Sequence, residues 1–529
     1  MTHERRDAWL AYLSAALLGA ATAASLLPAD FVLPPPEPPW RSLGDIAQHI
    51  VAQRVFIAEP WGWPLLAARG LGEGGTNIAL ADGIPLLALP LKAVGGLLAP
   101  GFHGIGLWHA LVMVLQPLAA VFALRAAGVG GIAPAVAVSA ASLAMPAWLA
   151  RHGHAALMGH WTILLALGVM LRAVRHPSRP CWVGAVALAT ASLLVHPYLA
   201  AMVLALLGAA PATLLLRRDR GWALAAAGVA ASAAAVGLCL VGLGYLGAAG
   251  DGGYGNYALN LISPLWPARS AFFPHVTREI DATGFGGWEG YNWLGAGLIG
   301  GLALLLARDR AGLSAALRRH PGLVLVLSAL TALSVSHRIG LGGTVVLDLG
   351  PAPAPLEQFR SSGRFFWPVA YALLIGAFAL IARLPRVGPT VAVLLAAVQV
   401  IDAAPNRSAL ADWAARRPPW TVEAAALRPL IREAERVTIL PSWPCIPAEG
   451  HATRERVQEL LLLVSERAVP VNTMQLARWR DPPRCTDAEV RRSPPSPGEL
   501  RLVLPEARDP SGGAGVCLEI GDLLVCRGF

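Results

Sequence analysis

Charge is scarce in this sequence. Only 14% of its 529 residues are Asp, Glu, Lys or Arg, where a soluble globular chain carries about a quarter, so an ordinary water-soluble fold is excluded and a lipid bilayer becomes the main solvent. Lysine is nearly missing: Lys92 is the single one among 42 basic residues. Because alanine, glycine and proline are used heavily alongside, the choice of arginine over lysine carries no functional weight. Cysteine is sparse, six in all, and Cys181 and Cys239 fall in apolar runs, where they act as small apolar residues. A single basic face is also lacking. The net charge is +9, but the arginines are dispersed over short loops, which argues against a nucleic-acid partner.

What the sequence does contain is apolar runs. It is 55% hydrophobic with mean hydropathy +0.54, and runs long enough for a bilayer recur from Trp9 to Ile401. They predict about eleven spans near 8–27, 105–124, 132–149, 158–171, 181–196, 198–216, 221–246, 292–307, 321–336, 364–382 and 387–402. The first run, Ala8–Leu27, exceeds the roughly 7–15 residues of a signal-peptide core and is expected to remain as a span. With the N-terminus inside, the inward loops hold Arg125, Arg172, Arg175, Arg179, Arg217, Arg218, Arg220, Arg308, Arg310, Arg318, Arg319, Arg383 and Arg386, while the short outward turns hold little beyond Arg151. That asymmetry orients the chain. If Gly83–Ala99, which contains Lys92, also crossed, every later arginine loop would face outward, so this stretch is expected to lie at the outer interface.

The fold class is therefore mainly α: a polytopic helix bundle over residues 1–402, with an outer loop at 28–104, and a C-terminal extracytoplasmic domain over 403–529. In that domain strand-like RVTIL and RLVL alternate with helical RERVQELLLLVSER, the pattern of an α/β fold. Its four cysteines lie where disulfides persist. The Gly521-Asp522 turn between VCLEI and LLVCR puts Cys517 opposite Cys526 in a non-hydrogen-bonded pair, close enough for a bridge. By elimination Cys445 pairs with Cys485.

Polar residues concentrate at the outer rim. RSLGDIAQHI starts a helix in which Asp45 and His49 share a face, and Asp45 with Gln48 equally reads as a capping box. Asp82 heads the helix that carries Lys92, where it serves as a cap or as a second acidic group. Lys92 is placed to meet a lipid phosphate or to snorkel. RHGHAALMGHW brings His152, His154 and His160 to one edge, but without the spacing or a nearby carboxylate of a zinc motif. His196, before Pro197, reads as a cap where two spans meet. The loops 247–291 and 337–360 are rich in Trp and Tyr, as in an interfacial belt. Arg360 and Arg364, four apart at the start of a span, form a phosphate fork or an anchor.

These features together resemble a known class. GDIAQHI, EPWGWPL, ADGIPLLALPLK, WEGYNWLG, FRSSGRFFWP and PVNTMQLAR look like a functionally uncharacterised bacterial branch of the GT-C integral-membrane glycosyltransferases. The resemblance implies an enzyme of the bacterial inner membrane that moves a sugar from a polyprenyl-phosphate carrier to a glycan, lipid or protein acceptor on the outer face. It implies Asp45 as base, Asp82 and His49 as further catalytic candidates, and Lys92, Arg151, Arg360 and Arg364 as donor-phosphate contacts. The paired acidic motif of some members is absent, since Ile46 follows Asp45. A site without cofactor or metal is therefore expected, a divalent ion being the less favoured choice. The rival readings are a transporter or flippase and a non-catalytic envelope-polysaccharide assembly protein. The predicted spans at 132–149, 181–195, 221–246, 292–307 and 321–336 carry no charge, which disfavours an ion-coupled carrier.

Overall fold

A computed structural model of the chain describes residues 3–42, 44–250, 252–476, 478–508 and 516–528. The apolar runs form helices because a backbone in lipid must satisfy its polar groups within its own segment. Among the described residues six helices are long and apolar enough to cross a bilayer: Glu4–Leu26, Ile105–Ala126, Ala155–Arg175, Pro197–Leu216, Trp222–Gly242 and Ser362–Ala382. Gly388–Asp402 and Ala404–Ala415, bent by 51° at their junction, add a seventh if taken as one span.

The remaining four expected spans are shorter apolar helices: Ile132–Leu143, Arg179–Val195, Ala296–Arg308 and Pro321–Val335. Six or seven segments, not eleven, therefore meet the length of a crossing among the described residues. Proline accounts for part of the difference. Met145, forced to ψ 115° ahead of Pro146, stops the run that begins at Ile132. Helix Pro85–Ala93, which carries Lys92, is nine residues long, about 14 Å and well short of a bilayer.

Asp402, at the bend, is fully buried. Its carboxylate accepts from the Trp293 indole at 2.9 Å, from the Ala296 amide at 2.8 Å and from the Ser270 hydroxyl, so it caps helix Ala296–Arg308 from another segment. Asp402→Ala removes all three acceptor contacts, and we expect a loss of about 2 kcal/mol, read as a lower thermal midpoint of the detergent-solubilised protein.

Helix Asp45–Ala58 joins the bundle to the C-terminal domain. Residues Ile46 to Ile57 are all buried, because helix Pro85–Ala93 and helix His451–Ser465 both pack on it. In its middle the buried Arg54 donates to the Gly101 carbonyl at 2.8 Å and the Leu462 carbonyl at 3.2 Å. The C-terminal domain holds a four-stranded sheet in the order Arg436–Leu440, Glu499–Val503, Leu523–Arg527, Val516–Ile520, the first pair parallel and the others antiparallel. The segment after its helix runs back over the early loop, pairing Val471 with Leu71.

The hairpin register sets Cys517 directly opposite Cys526, and both expected disulfides form, with Cα–Cα distances of 4.0 Å for Cys517–Cys526 and 4.8 Å for Cys445–Cys485. Peptide mapping without reduction should return these two pairs; a peptide joining Cys445 to Cys517 would contradict both.

Candidate functional site

Segments far apart in sequence converge where helix Asp45–Ala58 begins. The residue capping that helix is Gly44, at φ +72°, and no side chain caps it. The expected capping box of Asp45 and Gln48 therefore does not form: Asp45 is already the first helical residue, and its carboxylate turns to another partner. Asp45 Oδ2 lies 2.9 Å from His154 Nε2, and Oδ1 accepts from Gln475 Nε2 at 3.4 Å.

His49, one turn on, shares that face. Its ring is fully buried and neither nitrogen has a hydrogen-bond partner; Nε2 stands 3.9 Å from Asp82 Oδ2. Asp82 has left-handed backbone, φ +51°, an uncommon conformation that Asp tolerates better than most residues. Helix Pro85–Ala93 starts after Ile84 with no side-chain cap, so Asp82 is not the cap that its position in the sequence implied. Asp82 Oδ1 instead lies 3.5 Å from His196 Nε2. His196 does cap, its Nδ1 accepting from the Tyr198 amide at 3.1 Å, which leaves a protonated Nε2 to face Asp82.

The electrostatics follow from burial and pairing. Burial pushes the Asp45 carboxyl up, but the hydrogen bond and charge of His154, with His49 behind, outweigh it and leave Asp45 below the ordinary carboxylate value. Burial pushes His154 down, yet Asp45 and Glu289 outweigh it and raise it from the ordinary imidazole value. The pairing thus favours the carboxylate of Asp45 and the protonated form of His154. His49 is driven down to about 3, by burial first and then by the charge of His154. Asp82 is raised, chiefly by burial, against the charges of His154, Arg478 and Arg364.

A second cluster abuts the first. Glu289 Oε2 accepts from Arg151 Nη1 at 2.7 Å and from Arg364 Nε at 2.8 Å, while Oε1 accepts from Arg364 Nη2 at 2.8 Å. All three residues are buried. Arg151 also donates to the Trp288 carbonyl, and the Arg364 guanidinium lies 4.9 Å from the Tyr198 ring centre. Glu289 reaches His154 Nε2 at 3.8 Å, linking the two clusters. Burial raises its carboxyl, but Arg364 and Arg151 hold it far below the usual range.

Arg360 and Arg364 do not share a face, because Ser362–Phe366 is a 3₁₀ turn and Arg360 precedes it. Arg360 is exposed and stacks over Tyr257 at 5.6 Å. Lys92 lies away from the cluster. Its Nζ donates to the Phe56 carbonyl at 2.5 Å and sits 4.1 Å over the Phe56 ring, at the far end of the helix that Asp45 begins. Of the three clustered histidines only His154 enters the site: His152 bonds the Leu149 carbonyl and His160 the Tyr371 hydroxyl. Glu289, Gln475 and Arg478 were not singled out by sequence reasoning, although WEGYNWLG and PVNTMQLAR contain them.

A cleft of about 760 Å³ opens between the loop bearing Trp63 and Asn77 and the segment bearing Asn472, Thr473, Trp479 and Arg480; Asp45, His49, Asp82, His154 and Glu289 do not line it. Met474 and Leu476, which flank Gln475, line it.

An apolar helix bundle with a half-buried cluster of carboxylates and imidazoles, packed against a disulfide-braced α/β domain, defines a membrane protein with a built polar site. The chain belongs to the family described as a domain of unknown function, DUF6311, which matches residues 16–404, and the DUF6311 C-terminal domain matches residues 426–528. No curated protein matches it.

Proposed function

We propose that this protein is a membrane glycosyltransferase of the GT-C type, transferring a sugar from a polyprenyl-phosphate carrier to an acceptor at the outer face of the bacterial inner membrane. The observation that carries this reading is the 2.9 Å Asp45–His154 pair, deprotonated on its carboxylate and joined through Gln475 to the segment that walls a cleft large enough for a sugar acceptor. Asp45 Oδ takes the proton of the acceptor hydroxyl as that oxygen bonds to the anomeric carbon. The bond between that carbon and the carrier phosphate oxygen breaks, and the phosphate leaves with the electron pair. His154, 2.9 Å from Asp45, keeps the carboxylate oriented. Arg151 and Arg364 are committed to Glu289, so exposed Arg360 and partly exposed Arg478, whose Nη2 bonds the Gln358 carbonyl at 2.6 Å, are the better-placed cations for the departing phosphate.

Purified protein incubated with a panel of polyprenyl-phosphate sugars and read by mass spectrometry should yield free carrier phosphate and a glycosylated product. Turnover of none of them, by protein that is stably folded, would count against the reading.

The proposed topology has eleven segments embedded in the membrane, the shorter helices included, with the N-terminus cytoplasmic and the C-terminal domain outside. Reporter fusions after Arg220 and at Ala448 are expected to give opposite signals; identical signals would remove the orientation on which an outer-face site depends.

A further inference from the structure

We propose that His49, His154 and Asp82 form a binding site for one divalent transition-metal ion of the zinc type. One imidazole or carboxylate oxygen from each residue lies within 4.8 Å of the others. A tetrahedral ion with bonds of about 2.0–2.2 Å sets its ligands roughly 3.3 Å apart, so inward shifts of about an ångström complete the triad. Three protein ligands leave a fourth position for water or substrate, the arrangement of an open site.

The independent observation is His49. Its ring is fully buried and both nitrogens lack a hydrogen-bond partner, although Nε2 points at the Asp82 carboxylate from 3.9 Å. A buried polar group without a partner costs about 1–3 kcal/mol and is rare in native structures. Coordination supplies the missing partner. Two imidazole nitrogens with one carboxylate oxygen favour zinc, manganese or iron over magnesium or calcium, which take oxygen ligands.

The surroundings supply what a metal site needs beyond its ligands. His196 Nε2 faces Asp82 Oδ1 at 3.5 Å, which orients the carboxylate so that Oδ2 is left for the ion. His154 Nε2 is the atom that meets Asp45, so an ion bound at that nitrogen takes the place of its proton. That proton leaves to solvent, and Asp45 is released from the pair. The other grouping of possible ligands, Cys445, Cys485 and Asp487, has its sulfurs consumed in a disulfide and offers no thiolate.

The site shares His154 with the transfer reading, which does not require the metal, and its test needs no activity. Full-length protein without a histidine tag, purified in detergent and stripped by chelator, is titrated with Co²⁺ and with Zn²⁺. We expect one ion per chain, visible d–d absorption from Co²⁺, competition by Zn²⁺ and a higher thermal midpoint with metal. Asp82→Asn and His49→Gln should each weaken binding by at least about tenfold. Asp82→Asn is isosteric and its side chain is 24% exposed, so its fold should survive even where that of His49→Gln does not. Absence of stoichiometric binding to the wild-type chain would overturn the proposal, as would an ion that Asp82→Asn binds with unchanged affinity and unchanged Co²⁺ spectrum. An ion that binds and is lost in Asp82→Asn upholds the site even if no sugar is ever transferred.

Discussion

Glu289→Gln is expected to destabilise the protein by about 3–5 kcal/mol, enough to cost most of the folded material recovered in detergent. The reason is the desolvation of its partners. Arg151 and Arg364 are both buried, and three hydrogen bonds of 2.7–2.8 Å bind their guanidinium groups to one carboxylate. A neutral amide cancels neither charge and puts N–H donors where acceptors are needed, so two cations remain buried without a counterion. Glu289→Asp keeps the charge on a shorter arm that cannot span both arginines, and should fall between wild type and Gln. Thermal midpoints and detergent-soluble yield give the measurement. If Gln matched wild type in both, water or an anion would have to be neutralising the arginines, and their commitment to Glu289 would be wrong.

The same cluster shows where sequence reasoning stops. Asp45 and His49 are four apart on one helix, so their shared face is a local fact and was legible. The Cys517–Cys526 bridge was legible for the same reason, since a two-residue turn fixes the register around it. His154 was visible as one of three neighbours, but the carboxylate it meets lies 109 residues earlier, at Asp45. No spacing rule within RHGHAALMGHW could supply that carboxylate. Glu289 was hidden in the same way, since its partners lie 138 and 75 residues away.

Helical bookkeeping also misled in places. Spacing of four implies a common face only in an α-helix, and the 3₁₀ turn at Ser362–Phe366 separates Arg360 from Arg364. Hydropathy counts apolar residues without regard to chain breaks, so it credited 132–149 with one span although Pro146 divides it. Lys92 looked like a surface cation because lysine so seldom sits inside; here the Phe56 carbonyl and ring take its ammonium.

Asp45→Asn should lower the rate of sugar transfer by on the order of 100-fold or more while leaving the fold almost unchanged. The stability side is small because the Asp45 side chain is 44% exposed: a solvent-screened pair contributes no more than about 1 kcal/mol, and with Gly44 at the cap position no helix cap is lost. The rate side is large because Asn has the same shape but cannot accept the acceptor hydroxyl's proton, and a positioned base contributes about 100–10,000-fold. His154→Gln is the companion variant. It keeps the Asp45 carboxylate but removes the imidazole that orients it, so it should slow transfer less than Asp45→Asn does. Thermal midpoints measured beside the rates keep misfolding from passing as lost chemistry. If Asp45→Asn were fully active while Asp82→Asn were dead, the base would be Asp82, whose carboxyl burial already raises, and Asp45 would serve only to hold His154 in place.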